Sequence, residues 1–441
     1  MRSRNATLWL LDKEWRELMA SRAWWVLLIG MGPLVGASFI SAMRTYAEVS
    51  GLGGTSAGVG EALSPLVGVW APTFSAGELA AVFLLPFVVI RLVGGDKQSG
   101  ALKLESQHRM SALSRVSAKA LVLVAAWMIA SAAPIIAILL WKAYGGTVYV
   151  PELVTVGGGH LLNAGLTIAL AAAAASIAEH PSTAAIMTLG VTVGTWIVNF
   201  FAAVQGGVWE RVAAYTPTAM VAEFQHGLVR LNVVLIAAAL IGAGLMLAAV
   251  WMRLGDSIRR RVVESVVLTA TAALVVWACT FVRPSWDTSE NRMNSFGESE
   301  EATLRQIRQP LHIRVYLAPE DPRRVDLERR ALSKLRRVMP SLQVEYVSAT
   351  SIGLFEQTSD HYGEVWYDLG GRKEMNRQTS AEGVLETIYT LAGVTPAAES
   401  DETVFRGHPL AVPPNGAAVV FYGAWPTVVI VIAVFSRKRR L

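Results

Sequence analysis

The chain has 441 residues, 53% of them hydrophobic and 17% charged, with a formal charge of +5, a mean hydropathy of +0.41 and one cysteine, Cys279. Average soluble domains carry about 25% charged residues, which excludes an ordinary soluble enzyme as a description of the whole chain; a lone cysteine excludes a disulfide scaffold. The basic pI of 9.3 raises nucleic acid as a partner, a question that the placement of the charges decides.

Residues 1–22 put Leu8, Leu11, Trp15, Leu18 and Met19 on one helical face and Asp12, Lys13, Glu14, Arg16 and Glu17 on the others. This pattern predicts an amphipathic helix lying in a membrane interface. Its charge and the lack of a small-residue cleavage site argue against a signal peptide. Apolar runs long enough to cross a bilayer as helix follow at Ala23–Ala42, Ala76–Val93, Ala120–Trp141, Gly158–Ala178, Ser182–Phe201, Leu231–Trp251, Ser265–Val282 and Ala417–Phe435. The second contains Pro86 and ends near Arg91, which can snorkel to the headgroups. Gly32 with Gly36, and Gly190 with Gly194, have the GxxxG spacing that lets helix backbones approach, either in a dimer seam or within one chain. The intramembrane polar residues Glu78, His160, Asn163 and Asn199 raise a substrate pathway or interhelical contacts as functions, but they fall near the ends of their runs, where interfacial solvation is the expectation.

Between the seventh and eighth runs, residues 283–416 carry 16 Lys/Arg and 20 Asp/Glu, a water-soluble composition framed by Arg283-Pro284 and by Pro409, Pro413, Pro414 and Gly416. Leu311–Leu317, Leu342–Val347 and Val365–Tyr367 read as strands, and Arg323–Val338 and Ala381–Leu391 as helices. That alternation predicts an α/β domain with a parallel, doubly wound sheet.

No phosphate-binding loop G-x-x-x-x-G-K-[ST], no H-E-x-x-H, no CxxC pair and no G-x-S-x-G occurs in the sequence, so no catalytic site, metal site or resident cofactor is assigned. His312, His361 and His408 share the soluble segment with many carboxylates, yet unpaired surface histidines are the expectation. Glu300, Glu301, Glu320 and Asp321 sit in polar, turn-like runs and are read as solvated charge.

With the N-terminus inside, the inner segments hold 19 Lys/Arg and the short outer loops only Arg44, Lys142, Arg211 and Arg230. The positive-inside rule therefore places both termini in the cytoplasm and residues 283–416 outside, in a multi-pass inner-membrane protein. The basic pI is then a matter of membrane topology, and no nucleic-acid partner is expected.

The inner segment after the second run, Asp96-Lys97-Gln98-Ser99-Gly100-Ala101-Leu102-Lys103-Leu104, with Ser114-Arg115 and Lys119 ahead of the third, resembles the cytoplasmic signature of type-2 ATP-binding-cassette (ABC) exporter permeases. Ala101 and Lys103 stand where that family commonly has threonine and glutamate, and Ala112 or a neighbour stands where proline is common. Thr216-Pro217, Glu223-Phe224 and Gly227 are similar to the family's pattern before its sixth helix. Asp287–Arg292, Asn294–Phe296, Pro310–Leu317, Gly363–Val365 and Gly371–Glu374 resemble the gliding-motility-associated auxiliary subunit of such transporters, here shortened and fused.

These resemblances imply a polytopic α-helical membrane protein of about eight spans. Its parts are an interfacial helix (1–22), a six-helix permease domain (23–254), a seventh span (255–282), an extracytoplasmic α/β auxiliary domain (283–416), and an eighth span with a basic tail (417–441). The implied function is that of an exporter permease, with ATP and Mg on a separate cytoplasmic ATPase. A second permease copy or homologous half and membrane lipid are the other implied partners. In that family the interfacial helix and the segment after the second span contact the ATPase, so the resemblance makes Asp96, Lys97, Gly100 and Arg115 the candidates for coupling by position; a polar, basic inner segment of 26 residues, more than a turn needs, is consistent with it. A non-transporting envelope scaffold and a membrane-anchored enzyme working through the outer domain are the alternatives.

Overall fold

The computed structural model describes residues 2–51, 63–102, 110–205, 208–318, 321–347, 361–395, 405 and 407–438. They divide into two compact units. One is built from Met1–Trp196, Pro217–Trp286 and Gly407–Leu441, and the other from Ile197–Thr216 and Asp287–Arg406.

In the first unit, α1 (Arg2–Ala20) leads into α2 (Arg22–Gly51). A π-helical turn, Leu66–Trp70, opens α3 (Ala71–Phe83), and Leu84 breaks it from α4 (Leu85–Ser99), whose second residue is Pro86. Then come α5 (Ala112–Ala130), α6 (Ala132–Ala143), α7 (Val150–Ile177) and α8 (Pro181–Gln205). The end of α8, from Ile197, and α9 (Val208–Ala213) belong to the second unit, and the first resumes with α10 (Pro217–Gln225), α11 (Leu231–Trp251) and α12 (Ile258–Cys279). The described residues include eight helical stretches long and apolar enough to cross a membrane: 22–51, 66–99, 112–143, 150–177, 181–202, 231–251, 258–279 and 419–436.

Most stretches outrun the apolar runs that mark them in sequence. Helix hydrogen bonding does not stop where hydropathy does: Lys97 and Gln98 continue α4 until Gly100, at φ +76°, closes it in the left-handed conformation. The fourth span starts at Val150, so His160 and Asn163 lie well inside a helix and are buried, which corrects their reading as end-of-span residues.

The centre of this unit is α7. Its glycines and the Ala171–Ala175 run bring neighbouring backbones close: a Cβ on Gly244 of α11 would meet Ala169 at 2.9 Å, and one on Gly159 would meet Phe224 of α10 at 2.4 Å. At the other extreme, α12 has no buried residue. The stripe of α1 that is buried is Leu10, Glu14 and Leu18, four residues apart, whereas Leu8 is exposed and Leu11, Trp15 and Met19 are half-buried. The packed face of this helix is therefore rotated from the one its apolar residues suggested, and it carries a carboxylate.

The second unit contains α13 (Glu298–Gln306), β1 (Leu311–Val315), α14 (Pro322–Leu327), which runs through a π-helical turn into α15 (Ser333–Val338), and β2 (Gln343–Tyr346). β3 (Val365–Leu369), β4 (Arg372–Asn376) and α16 (Ala381–Ala392) follow. The sheet order is β2-β1-β3-β4. β1 pairs with β2 in parallel across the α14–α15 crossover, but β3 runs antiparallel to β1, and β4 antiparallel to β3.

A mixed sheet thus replaces the expected parallel, doubly wound one. For β3 and β4 the reason is local: Gly370 and Gly371, both at positive φ, form a two-residue hairpin, which joins only antiparallel strands, while the antiparallel seating of β3 on β1 is a matter of tertiary pairing. Leu311, Ile313 and Val315 alternate inward with Val365, Tyr367 and Leu369 onto Leu327, Leu332, Leu335, Val384 and Ile388.

Several acids read as solvated charge have structural duties here. Glu300 accepts from the Gly297 amide at 3.0 Å in a capping box, Glu301 pairs with Arg305, and Asp321 caps α14. Glu320 lies outside the described residues.

Candidate functional site

The most concentrated chemistry among the described residues lies where α1 meets the end of α4 and the first turns of α5. On α1 the buried stripe puts Glu14 between two leucines, facing Asp96 of α4 and Lys119 of α5. The Lys119 ammonium is fully buried and spends its three N–H bonds on Glu14 Oε2 at 2.6 Å, Asp96 Oδ2 at 2.5 Å and the Leu92 carbonyl at 3.2 Å. Lys13 closes the figure from the rim, donating to Glu14 Oε1 at 3.1 Å and Asp96 Oδ1 at 3.2 Å, with Glu17 at 3.2 Å outside it.

Glu14, Lys119, Asp96 and Lys13 therefore form a ring of alternating charge and zero net charge, three members of which are almost wholly buried. Burial pushes the Glu14 carboxyl above its ordinary range, against the pull of Lys119 and Lys13. Glu14, Glu17 and Asp96 approach closely enough to hold a cation between them, and the lysine ammoniums stand against that charge.

A buried ring of this kind adds little stability over apolar packing, but breaking it by removing one member costs about 3–5 kcal/mol. What it enforces is register: α1 sits on α4 and α5 in the one setting that pairs every charge.

The residues singled out in sequence have four different fates. Asp96 is a member of the ring. Lys97, on the next face of α4, donates to the carbonyls of Ser176 and Ala178 at 3.0 and 2.9 Å, so a cation caps the C-terminal end of α7. Gly100 is the left-handed C-cap of α4; a Cβ there would meet nothing, so its requirement is conformational. Arg115 is buried one turn ahead of Lys119, does not join the ring, and its Nε has no hydrogen-bond partner among the described residues. Asp96 and Lys97, like Arg115 and Lys119, sit on helices rather than in a loop. Residues 103–109 of the same inner segment, including Lys103, fall outside the described ones.

Glu14 and Lys119 are the ring members that were not among the candidate site residues of the sequence. A signal existed for both. Glu14 stands midway between Leu10 and Leu18 at helical spacing, and Lys119 falls at the entry to a long apolar run.

The two glycine pairs also part company. A Cβ on Gly32 would meet the Trp425 ring at 2.1 Å and one on Gly36 would meet Phe421 at 2.3 Å; Phe421 lies in a π-helical turn, Val419–Ala424, that leads into α17 (Trp425–Lys438). Trp425 Nε1 also donates to the Leu28 carbonyl at 2.7 Å. This pair is a seat for the C-terminal helix of the same chain, the packing within one chain that its spacing allowed. Around Gly190 and Gly194 a Cβ would meet nothing within 4 Å.

Elsewhere, Gln225 of α10 bridges Ser75 of α3 at 3.0 Å and His160 of α7 at 3.2 Å, and Asn199 accepts from Thr216 at 2.8 Å. In the second unit, His361 Nδ1 lies 3.0 Å from Glu364 Oε2, which also accepts from Trp366, while Oε1 accepts from Arg377 at 3.1 Å. That carboxyl is held below its usual range, first by the bond from Arg377. His312 alternates outward on β1. No metal-ligating group of three forms around these histidines among the described residues.

No protein-family model matches the chain, and neither a curated protein nor a solved structure is similar to it.

Proposed function

We propose that this chain is the membrane permease subunit of an ATP-driven transporter, an exporter of the type-2 ATP-binding-cassette kind. Both termini are cytoplasmic in this reading, and the mixed α/β unit receives substrate or a partner protein outside. Hydrolysis belongs to a separate P-loop ATPase carrying ATP and Mg.

The observation that supports this reading is the ion ring. A permease driven by a subunit docked on its inner surface needs a stiff element there, because a push that merely bends one helix is lost. The ring ties α1 to α4 and α5, and Lys97 ties α4 to α7. A displacement of α1 or of the segment after α4 then carries spans two, three and four together. The asymmetry of Lys/Arg across the short loops supports the orientation.

The test is purification of the tagged full-length chain in mild detergent from its native membrane, with identification of what accompanies it and measurement of ATP hydrolysis. The expected result is a P-loop ATPase in near-equal amount whose turnover falls when Asp96→Asn, Lys97→Met or Lys119→Met is introduced, the complex staying intact. Absence of any ATPase partner, or turnover indifferent to all three substitutions, overturns the proposal and leaves a scaffold.

A further inference from the structure

We infer that Glu78 is the anionic half of a binding site for a lipophilic organic cation, set in the seam between α3 and α10. The seam is polar along one edge. Ser75 and Glu78 are three residues apart on α3, and Thr218 and Gln225 are seven apart on α10, so each pair lies on one helical face. Gln225 meets Ser75 at one end and continues to His160, and Thr218 donates to the Glu78 carboxylate at the other.

The two ends differ in how far they are satisfied. At the Gln225 end, donors and acceptors close on one another in a chain of three side chains from three helices. At the Glu78 end, a half-buried carboxylate with room for about four hydrogen bonds has one hydroxyl, and no lysine or arginine among the described residues pairs with it. Carboxylates within membrane spans are costly and are ordinarily paired. Glu14 and Asp96 of the same protein obey that rule with two lysines; Glu78 does not.

The surroundings specify the missing partner. Phe74, one turn before Glu78, stacks on His160 with centroids 5.5 Å apart. Leu79, next to Glu78, and Phe83, more than a turn further on and edge-to-face with Trp196 at 5.8 Å, are exposed on a helical stretch long and apolar enough to cross a bilayer, so the surface that borders the carboxylate is apolar and aromatic. A charge complement with aromatic or apolar bulk fits such a position, since a cation gains from the carboxylate and from ring faces at once. What becomes of the cation after binding rests on the transport reading; the binding itself does not.

The experiment measures equilibrium binding of radiolabelled tetraphenylphosphonium to the full-length chain in phosphatidylcholine nanodiscs, with no ATPase and no ATP. The expected result is saturable binding, weakened about tenfold or more in Glu78→Gln and kept within roughly threefold in Glu78→Asp and Ser75→Ala. Ser75→Ala breaks the polar chain without touching the charge, so it separates a structural effect of the seam from the loss of the anion. Absence of saturable binding to the unaltered chain, or equal binding by Glu78→Gln, overturns the inference. A chain that binds the cation yet couples to no ATPase would sink the transport reading alone.

Discussion

Replacing Lys119 by Met isolates what the ion ring does. The methionine keeps the volume and the stem of the lysine and deletes one ammonium that has no solvent exposure and three acceptors between 2.5 and 3.2 Å. Glu14 and Asp96 are then left with Lys13 as their common counter-ion, and the ring goes from neutral to a net charge of one negative in a buried place. Breaking a buried pair in this way costs about 3–5 kcal/mol. Neutralising all three buried members, in Glu14→Gln, Asp96→Asn and Lys119→Met together, removes the desolvation cost with the attraction and is expected to cost less than Lys119→Met alone.

The pH dependence follows with its sign. Burial raises the folded-state Glu14 carboxyl above the ordinary glutamate range, so its contribution to stability is fully present below that range and is lost as pH rises through the folded-state value. Without Lys119 the neutral acid is favoured further, and the deficit of Lys119→Met shrinks as pH falls from 7 towards 5. Denaturant unfolding of the detergent-purified chain, followed at both pH values, reads these differences. A Lys119→Met deficit below about 1 kcal/mol, or one that grows on acidification, would refute the reasoning.

The two glycine pairs predict opposite outcomes for one substitution. Gly32→Val and Gly36→Val drive a side chain into Trp425 and Phe421 and are expected to lower thermal stability by about 1–3 kcal/mol, with the C-terminal tail cut faster by protease; Gly190→Val and Gly194→Val meet open space and leave the monomer's stability unchanged. In the second unit, the bond from Arg323, with help from Tyr362, holds the Asp321 carboxyl at about 2. Its stabilisation is therefore present above the ordinary aspartate value and lost as pH falls through about 2. Because the pair is part-exposed, Asp321→Asn is expected to cost only on the order of 1 kcal/mol, read as faster amide exchange in α14 of the intact protein at neutral pH and no difference at the acid extreme. Cys279, the single cysteine, ends α12. A membrane-impermeant maleimide should label it from the extracytoplasmic side of sealed vesicles only, and labelling from the other side alone would invert the topology.

Much of the membrane architecture is legible in the sequence, for a physical reason. Spans announce themselves because lipid demands one property, apolarity, over about 20 consecutive residues, and a sum along the chain detects it. Eight runs sufficed to find eight helical stretches, and only their ends moved, since residues such as Lys97 extend a helix without being apolar. In the α/β unit β1, β2, β3 and the helices of 323–338 and 381–391 were readable, because alternation and helical periodicity are local, whereas α13, read as turn-like charge, and β4 after the Gly370-Gly371 hairpin were not.

What only the tertiary structure decided is pairing over distance. Lys119 meets a carboxylate 105 residues earlier in the chain, and Lys97 meets a carbonyl 79 residues later. No periodicity contains either fact. Composition placed Glu14 on the polar side of an amphipathic helix, whereas packing against two spans turned that side inward and supplied the charges that make its burial tolerable. The sheet order is of the same kind, because strand pairing is a choice among partners that are all equally strand-like. Sequence determined which segments are long and apolar enough to cross a bilayer and which form the α/β unit; three-dimensional packing determined which charges are buried together.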